Sequence, residues 1–250
     1  NYYHLDISLN KYISDSGFCS RREADKFIED CRVTINGIDA HKGNRVKPGD
    51  EVRIDGEPIR KKKTTVYLAF NKPKGITCTT DTKDKSNIIS FINYKTRIFP
   101  IGRLDKLSNG LIFLTNDGDI VNKILRAGNG HEKEYIVTVD KPIDLNFIQK
   151  MRNGVRILGT ETLKCYVKQE GDKKFRIILT QGLNRQIRRM CEALGYNVTS
   201  LTRIRIMNIN INGILPGKWR YFTPNEISNI NELLKNSSKT QINAEESFGE

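Results

Sequence analysis

The apolar run Gly110-Leu111-Ile112-Phe113-Leu114-Thr115 follows closely on Gly102-Arg103-Leu104-Asp105 and is closed by Asn116-Asp117-Gly118. A short apolar run bounded by turn residues reads as a buried strand, so this chain is committed to a sheet. A carboxylate is placed at the mouth of that strand, two residues after an arginine. Such an aspartate either caps a turn or does chemistry, staying ionised beside cations that draw in a ligand.

Composition narrows the setting. With 250 residues and 37% hydrophobic content, the chain can bury one good core, or one core plus a small satellite domain. No apolar run is long enough to span a membrane, and Asn1-Tyr2-Tyr3-His4-Leu5-Asp6 lacks the charged-then-apolar layout of a signal. The five cysteines are odd in number, widely spaced and without a Cys-x-x-Cys pair. They point to reduced thiols in a cytoplasmic protein, against a disulfide framework and against a zinc site. The formal charge is +13, and residues 64–236 hold 28 Lys and Arg against 15 Asp and Glu, which is all of that surplus. A local excess of this size favours a polyanionic partner, RNA or DNA.

Residues 8–60 read as a helix–helix–hairpin unit. Leu9, Tyr12 and Ile13 share a helical face and Gly17 ends that helix. Ser20-Arg21-Arg22-Glu23 is a capping box that starts a second helix, with Ala24, Phe27 and Ile28 inward and Arg21, Arg22 and Lys26 outward. Val33–Ile35 and Val52–Ile54 read as short strands, with turns at Asn36-Gly37 and Lys47-Pro48-Gly49-Asp50. Arg60-Lys61-Lys62-Lys63 reads as a linker.

From Thr64 onward, strands and helices alternate irregularly. Strands are expected at 66–70, 110–115, 135–139 and 175–179, and the first is stopped by a turn at Asn71-Lys72-Pro73-Lys74-Gly75. Asp119 is expected to cap a helix carrying Val121, Ile124 and Leu125 inward. Gln186–Leu194 reads as an amphipathic helix stopped by Gly195, and Thr223-Pro224-Asn225-Glu226 starts the last helix. The mix predicts an α+β fold, with a small N-terminal domain and a larger domain built on an extended, mostly antiparallel sheet. The expected boundaries are 1–63 for the small domain and linker, 64–236 for the larger domain, and 237–250 for a polar, disordered tail.

The Ser-Arg-Arg-Glu-Ala helix start, the Val-Thr-Ile-Asn-Gly strand and turn, and the Val-Lys-Pro-Gly-Asp turn together resemble an S4 RNA-binding domain. In the larger domain, five ordered motifs resemble the pseudouridine synthases, in the branch that acts on ribosomal RNA. They are Asn71–Gly75, Gly102–Asp105, Lys133–Val137, Gly182–Met190 and Leu201-Thr202-Arg203. The stretch 122–135 looks most like the subgroup acting on 23S rRNA, some of whose members also modify a tRNA anticodon loop.

The resemblance implies isomerisation of uridine in RNA. The bond from uracil N1 to the ribose breaks, the base turns, and C5 joins the same ribose carbon, with only a proton exchanged at C5. Such a reaction calls for no metal, nucleotide or redox cofactor. Asp105 matches the family's essential aspartate, whose role is left open between attack on the sugar, attack on the base and removal of a sugar proton. Arg188 matches the arginine that pairs with it, expected as a two-pronged contact. Tyr135 matches the active-site tyrosine, able to stack on a uracil face.

The remaining expectations concern contact with substrate and RNA. Arg103 is placed to enter the gap left by an extruded base or to hold a phosphate. Leu201 is expected beneath Tyr135 or the base, and Lys72 at the pocket or on RNA. Arg185 and Arg189 are expected on phosphates, and Arg21, Arg22 and Lys26 at the RNA surface of the small domain. The expected partner is RNA, met by a monomer with no membrane and no metal. The rival reading is a ribosome-associated RNA-binding protein whose synthase-like domain is inactive. A nuclease or hydrolase is disfavoured by the lack of a second carboxylate, a metal cluster and a catalytic His pair.

Overall fold

The computed structural model describes residues 6–60, 64–126 and 130–235. The expected tail at 237–250, the lysines at 61–63 and part of the 122–135 stretch therefore lie outside the described residues. Contacts divide the chain into two units. One holds the described residues of Asn1–Thr65 with Tyr94–Ile98; the other holds those of Val66–Asn93 and Phe99–Glu250. Among the described residues no helix is long and apolar enough to cross a membrane.

In the first unit, strand β1 (Ile7–Ser8) leads into helix α1 (Leu9–Asp15), which buries Leu9 and Ile13. The chain leaves α1 through Gly17 at φ +84°, a conformation that costs glycine little. Helix α2 (Arg21–Glu29) opens on the expected capping box: Glu23 N–H donates to Ser20 Oγ at 3.2 Å, and Ser20 N–H to Glu23 Oε2 at 2.7 Å. Ala24 and Ile28 face inward, while Arg21, Arg22 and Lys26 are exposed.

The strands of this unit are β2 (Val33–Ile35), β3 (Ile38–Asp39), β4 (Arg45–Val46), β5 (Val52–Ile54) and β6 (Glu57–Pro58). They form a four-stranded sheet in the order β3-β2-β5-β6, and β4 pairs with β1. Asn36 and Gly37 both take positive φ, as a tight hairpin turn between right-twisted strands requires. Leu9, Ile13, Ala24, Ile28, Val33, Val52 and Ile54 close one apolar core.

The second unit is built on a nine-stranded sheet. Its strands are β7 (Tyr67–Lys72), β8 (Phe99–Ile101), β9 (Asn109–Thr115), β10 (Lys133–Val139), β13 (Tyr166–Gly171), β14 (Lys174–Leu179), β15 (Val198–Ile206), β16 (Ile209–Asn210) and β17 (Trp219–Tyr221). A separate hairpin joins β11 (Arg156–Ile157) to β12 (Thr160–Glu161). The sheet order is β13-β14-β10-β15-β9-β7-β17, with β16 on β15 and β8 on β9. Every pairing in the sheet is antiparallel except β15 with β9. The extended, mostly antiparallel sheet expected from the sequence is therefore present.

The helices of this unit are α3 (Ile88–Ile92), α4 (Gly118–Leu125), α5 (Leu145–Asn153), α6 (Gln186–Ala193) and α7 (Pro224–Leu234). Side chains alternate along β9, so Leu111 and Phe113 share one face. They pack there with Ile120 and Ile124 of α4 and Ile230 and Leu234 of α7. The cap of α4 is Asp117, whose carboxylate accepts from Asp119 N–H at 3.0 Å, rather than Asp119 as expected. Its fully buried residues are Ile120 and Ile124, with Val121 and Leu125 partly buried beside them. The Thr223–Glu226 capping box and Pro224 in the first turn start α7 as the sequence indicates.

The expected turn at Asn71–Gly75 begins two residues later. Asn71 and Lys72 extend β7 and are buried, because β9 pairs with them and backbone carbonyls take up their side-chain donors. Asn71 Nδ2 donates to Ile214 O at 2.8 Å, and Lys72 Nζ donates to Pro73 O and Ile76 O at 3.0 Å each. Part of the basic surplus is also spent inside the sheet. Glu134 on β10 is clasped between Arg176 of β14 and Arg205 of β15, the latter at 2.5 Å.

Candidate active site

Asp105 stands in the loop between β8 and β9, and three contacts hold that loop. Ser108 N–H donates to Asp105 O at 3.0 Å and closes a tight turn, while Gly75 N–H donates to Lys106 O at 2.7 Å. Leu104, almost fully buried, points its N–H at Cys78 Sγ, 3.4 Å away. The loop starts at Gly102 with φ +76°, where an added Cβ would meet Leu125 Cδ2 at 2.8 Å. A larger residue there is opposed by both backbone and packing.

Helix α6 supplies the countercharge. Arg188 is on its buried side, and its Nε donates to Asp105 Oδ2 at 2.7 Å. Its Nη2 donates to Ser108 Oγ at 2.8 Å. The fork expected on the carboxylate is thus shared between the carboxylate and a hydroxyl three residues along. Arg185, at the helix N-cap with φ +50°, donates from Nη1 to the same Oδ2 at 2.9 Å. Two guanidinium groups converge on one carboxylate oxygen, both through charge-assisted bonds.

A cavity of about 240 Å³ opens over this arrangement, lined by Thr77, Cys78, Thr79, Arg103, Leu104, Asp105, Lys106, Asn184 and Arg185. The wall is polar and cationic around one carboxylate, which suits a neutral polar base attached to an anionic backbone. Burial pushes the Cys78 thiol up, and it pushes Lys72 down to about 8, with the Arg203 charge adding to the effect on Lys72. Among the described residues, no group of three or more His, Cys, Asp or Glu side chains could hold a metal ion.

The structure brings together Asp105, Arg188, Arg185 and Arg103 among the residues singled out in the sequence. Arg185, expected on phosphate, holds Asp105 through Nη1. Arg189, expected there too, donates from Nε and Nη2 to Asn184 O and Oδ1 at 3.0 and 3.1 Å, fastening the loop before α6. Lys72, expected at the pocket or on RNA, is fully buried, which speaks against RNA and leaves the first of the two places. Leu201 is fully buried across from Val137 in the β10–β15 ladder, two residues along the same face of β10 from Tyr135.

Tyr135 is 3% exposed and is not part of the cavity lining; it lies across from Arg203, whose Cζ is 6.0 Å from its ring centre. Ser108 and Cys78 belong to the site or its support and were not singled out by sequence, while Arg203 was marked only as part of the Leu201-Thr202-Arg203 motif, with no role given to it. Of the first two only Ser108 carried a readable signal, its position three residues after Asp105.

Comparison with known proteins now decides the family. Residues 66–193 match the RNA pseudouridylate synthase family, and residues 8–52 match the S4 domain. The chain belongs to the RNA pseudouridylate synthase family. A dual-specificity RNA pseudouridine synthase, RluF of Escherichia coli (strain K12), is 58% identical over 93% of this chain and 81% of its own length. Ribosomal large subunit pseudouridine synthase B of Bacillus subtilis (strain 168) is 32% identical over 90% of this chain and 96% of its own. A crystal structure of a pseudouridylate synthase superimposes with a TM-score of 0.66 at 27% identity, covering 90% of this chain and 99% of that one. In this pseudouridylate synthase, Arg103, Leu104 and Asp105 lie within the matched segment and line the cavity.

Proposed function

We propose that this pseudouridine synthase isomerises a uridine in 23S ribosomal RNA, with Asp105 as the reacting carboxylate. The observation that carries the reading is the convergence of Arg188 and Arg185 on Asp105 Oδ2 beside an open cavity. A lone carboxylate fits an isomerisation in which the base never departs, whereas glycoside hydrolysis commonly takes a pair. The large-subunit target is supported by the likeness to synthase B of Bacillus subtilis, and a second, tRNA anticodon-loop substrate by the dual specificity of the Escherichia coli relative.

In this reading the target uridine is flipped from its stack into the cavity, at a cost of a few kcal/mol. Arg103, exposed on the cavity wall, offsets that cost at the vacated step or on a phosphate. Arg185 and Arg188 hold the carboxylate in one orientation while the N1–ribose bond breaks, the base turns and C5 is joined, its proton leaving to water. Residues 64–236 supply this chemistry, and the small domain of residues 1–63 grips a structured element of the same RNA through Arg21, Arg22 and Lys26. The five free cysteines accord with a reducing, cytoplasmic setting.

The test is tritium release from C5-labelled uridine in a 23S rRNA transcript. The wild-type protein is expected to release label and form pseudouridine. Asp105→Asn is expected to do neither while its RNA affinity is kept. Near-normal turnover by that variant would remove Asp105 from the reaction.

A further inference from the structure

Arg203 lies within β15 and is 3% exposed. Its Nε donates to Leu111 O at 2.7 Å, and its Nη2 is buried with no hydrogen-bond partner. Among the described residues no carboxylate pairs with it. A buried charge without a countercharge is costly, and an apolar side chain would serve packing better at such a position. The guanidinium therefore calls for an explanation beyond the core.

The strand registers supply one. Lys72 of β7 and Arg203 of β15 both stand beside Gly110 of β9, and Tyr135 of β10 stands across from Arg203. These four residues form one row over four adjacent strands. The Arg203 guanidinium, fastened at Leu111, lies at cation–π range of the Tyr135 ring. Its charge is also felt at Cys78, in the cavity wall beside Asp105.

We propose that Arg203 is a positioning residue for the isomerisation: its guanidinium, anchored on the Leu111 carbonyl, holds the buried Tyr135 ring in one orientation, and the geometry of the Asp105 cavity depends on that packing. The proposal rests on the reading of the Asp105 cavity as the uridine site and gives a role to Arg203, which the sequence marks only as part of the Leu201-Thr202-Arg203 motif. Tyr135 sits on an interior strand, and a ring held from one side by an anchored cation keeps a single orientation through the turning of the base.

Single-turnover pseudouridine formation on a 23S rRNA transcript tests it, using Arg203→Met, Arg203→Lys, Tyr135→Leu and the Arg203→Met/Tyr135→Leu pair. Arg203→Met is expected to slow the chemical step by about tenfold or more, with RNA affinity and urea unfolding midpoint kept. Arg203→Lys, which restores the charge without the planar fork, is expected to recover part of the rate. Once the ring is gone in Tyr135→Leu, adding Arg203→Met should cost less than about twofold more. The proposal is overturned by an unchanged rate in Arg203→Met, by a loss confined to RNA affinity, or by the same fractional loss with and without the Tyr135 ring. Failure of the wild-type protein to act on the transcript would strike the uridine reading itself, and the two results are distinct.

Discussion

One guanidinium, that of Arg188, binds both ends of the Asp105 turn, with Nε on Asp105 Oδ2 at 2.7 Å and Nη2 on Ser108 Oγ at 2.8 Å. Its side chain is 9% exposed, whereas that of Arg185, on the same oxygen, is 38% exposed. The buried contact is screened less and orients more. Arg188→Ala is expected to lower the rate of pseudouridine formation by roughly 10²-fold or more, and Arg185→Ala by several-fold less. Single-turnover rates on one RNA decide it; equal losses would mean that burial does not rank the two contacts.

Ser108 should matter through the same guanidinium. Ser108→Ala removes the acceptor for Arg188 Nη2 at a fully buried position. A buried donor left unsatisfied costs about 1–3 kcal/mol, so a fall in urea stability of that size is expected together with a slower reaction. A stability loss with unchanged rate would show that Arg188 keeps its place on Asp105 without the hydroxyl.

Much of this was legible in residues that act locally. The capping boxes at Ser20 and Thr223 and the Asn36-Gly37 turn depend on neighbours a few positions away, and the structure has them where the sequence puts them. Asn71 and Lys72 read as a turn because they are polar and precede Pro73, yet they continue β7. Their donors are met by Ile214 O and by Pro73 O and Ile76 O, partners that only the folded chain brings near. Helix α5 went unread because its buried Phe147, Ile148 and Met151 make only a short apolar face. The Asp105–Arg188 pair spans 83 positions and was legible only through family motifs. The hold of Arg185 on Asp105 was not legible because nothing local announces its left-handed φ at the start of α6.

Gly110 is the position where backbone sterics should be most severe. Its φ is +117°, and a Cβ there would meet Arg203 O at 2.2 Å in the neighbouring strand. Gly110→Ala is expected to destabilise the protein by about 3 kcal/mol or more. Gly37 has φ +80° with nothing within 4 Å of a built Cβ, so Gly37→Ala should cost only about 1 kcal/mol. Urea unfolding of both variants checks the contrast, which a similar loss in the two would refute.

Lys72 should impose a pH dependence of its own. Burial holds its amine at about 8 in the folded chain against an ordinary 10.5. Below both values the amine is charged in folded and unfolded chains alike, and its burial is a constant cost. Between about 8 and 10.5 the unfolded chain binds the extra proton, so the Lys72 contribution makes stability rise with pH, by up to about 3 kcal/mol in all. Lys72→Met lacks that contribution. The stability of wild type relative to Lys72→Met should therefore climb across this window and be flat below it; a difference that is level from pH 7 to 10.5 would mean the amine keeps its ordinary proton affinity in the folded chain.

The small domain should announce itself through salt. Arg21, Arg22 and Lys26 are exposed on one helix, α2, which the Ser20 capping box fixes at its start. Cations that neutralise phosphates release condensed counterions, so each lost contact lowers both affinity and the steepness of its salt dependence. Arg21→Glu with Arg22→Glu is expected to weaken binding to a 23S rRNA transcript roughly tenfold or more near 100 mM salt and to flatten the log–log salt slope by about 1–2. Because Asp105, Arg185 and Arg188 are untouched, the single-turnover rate at saturating enzyme should stay near that of the wild type. Fluorescence anisotropy between 50 and 200 mM salt makes the measurement. An unaltered slope would assign α2 to something other than phosphate contact, and a reduced rate at saturation would show that the two arginines also shape how the uridine is presented.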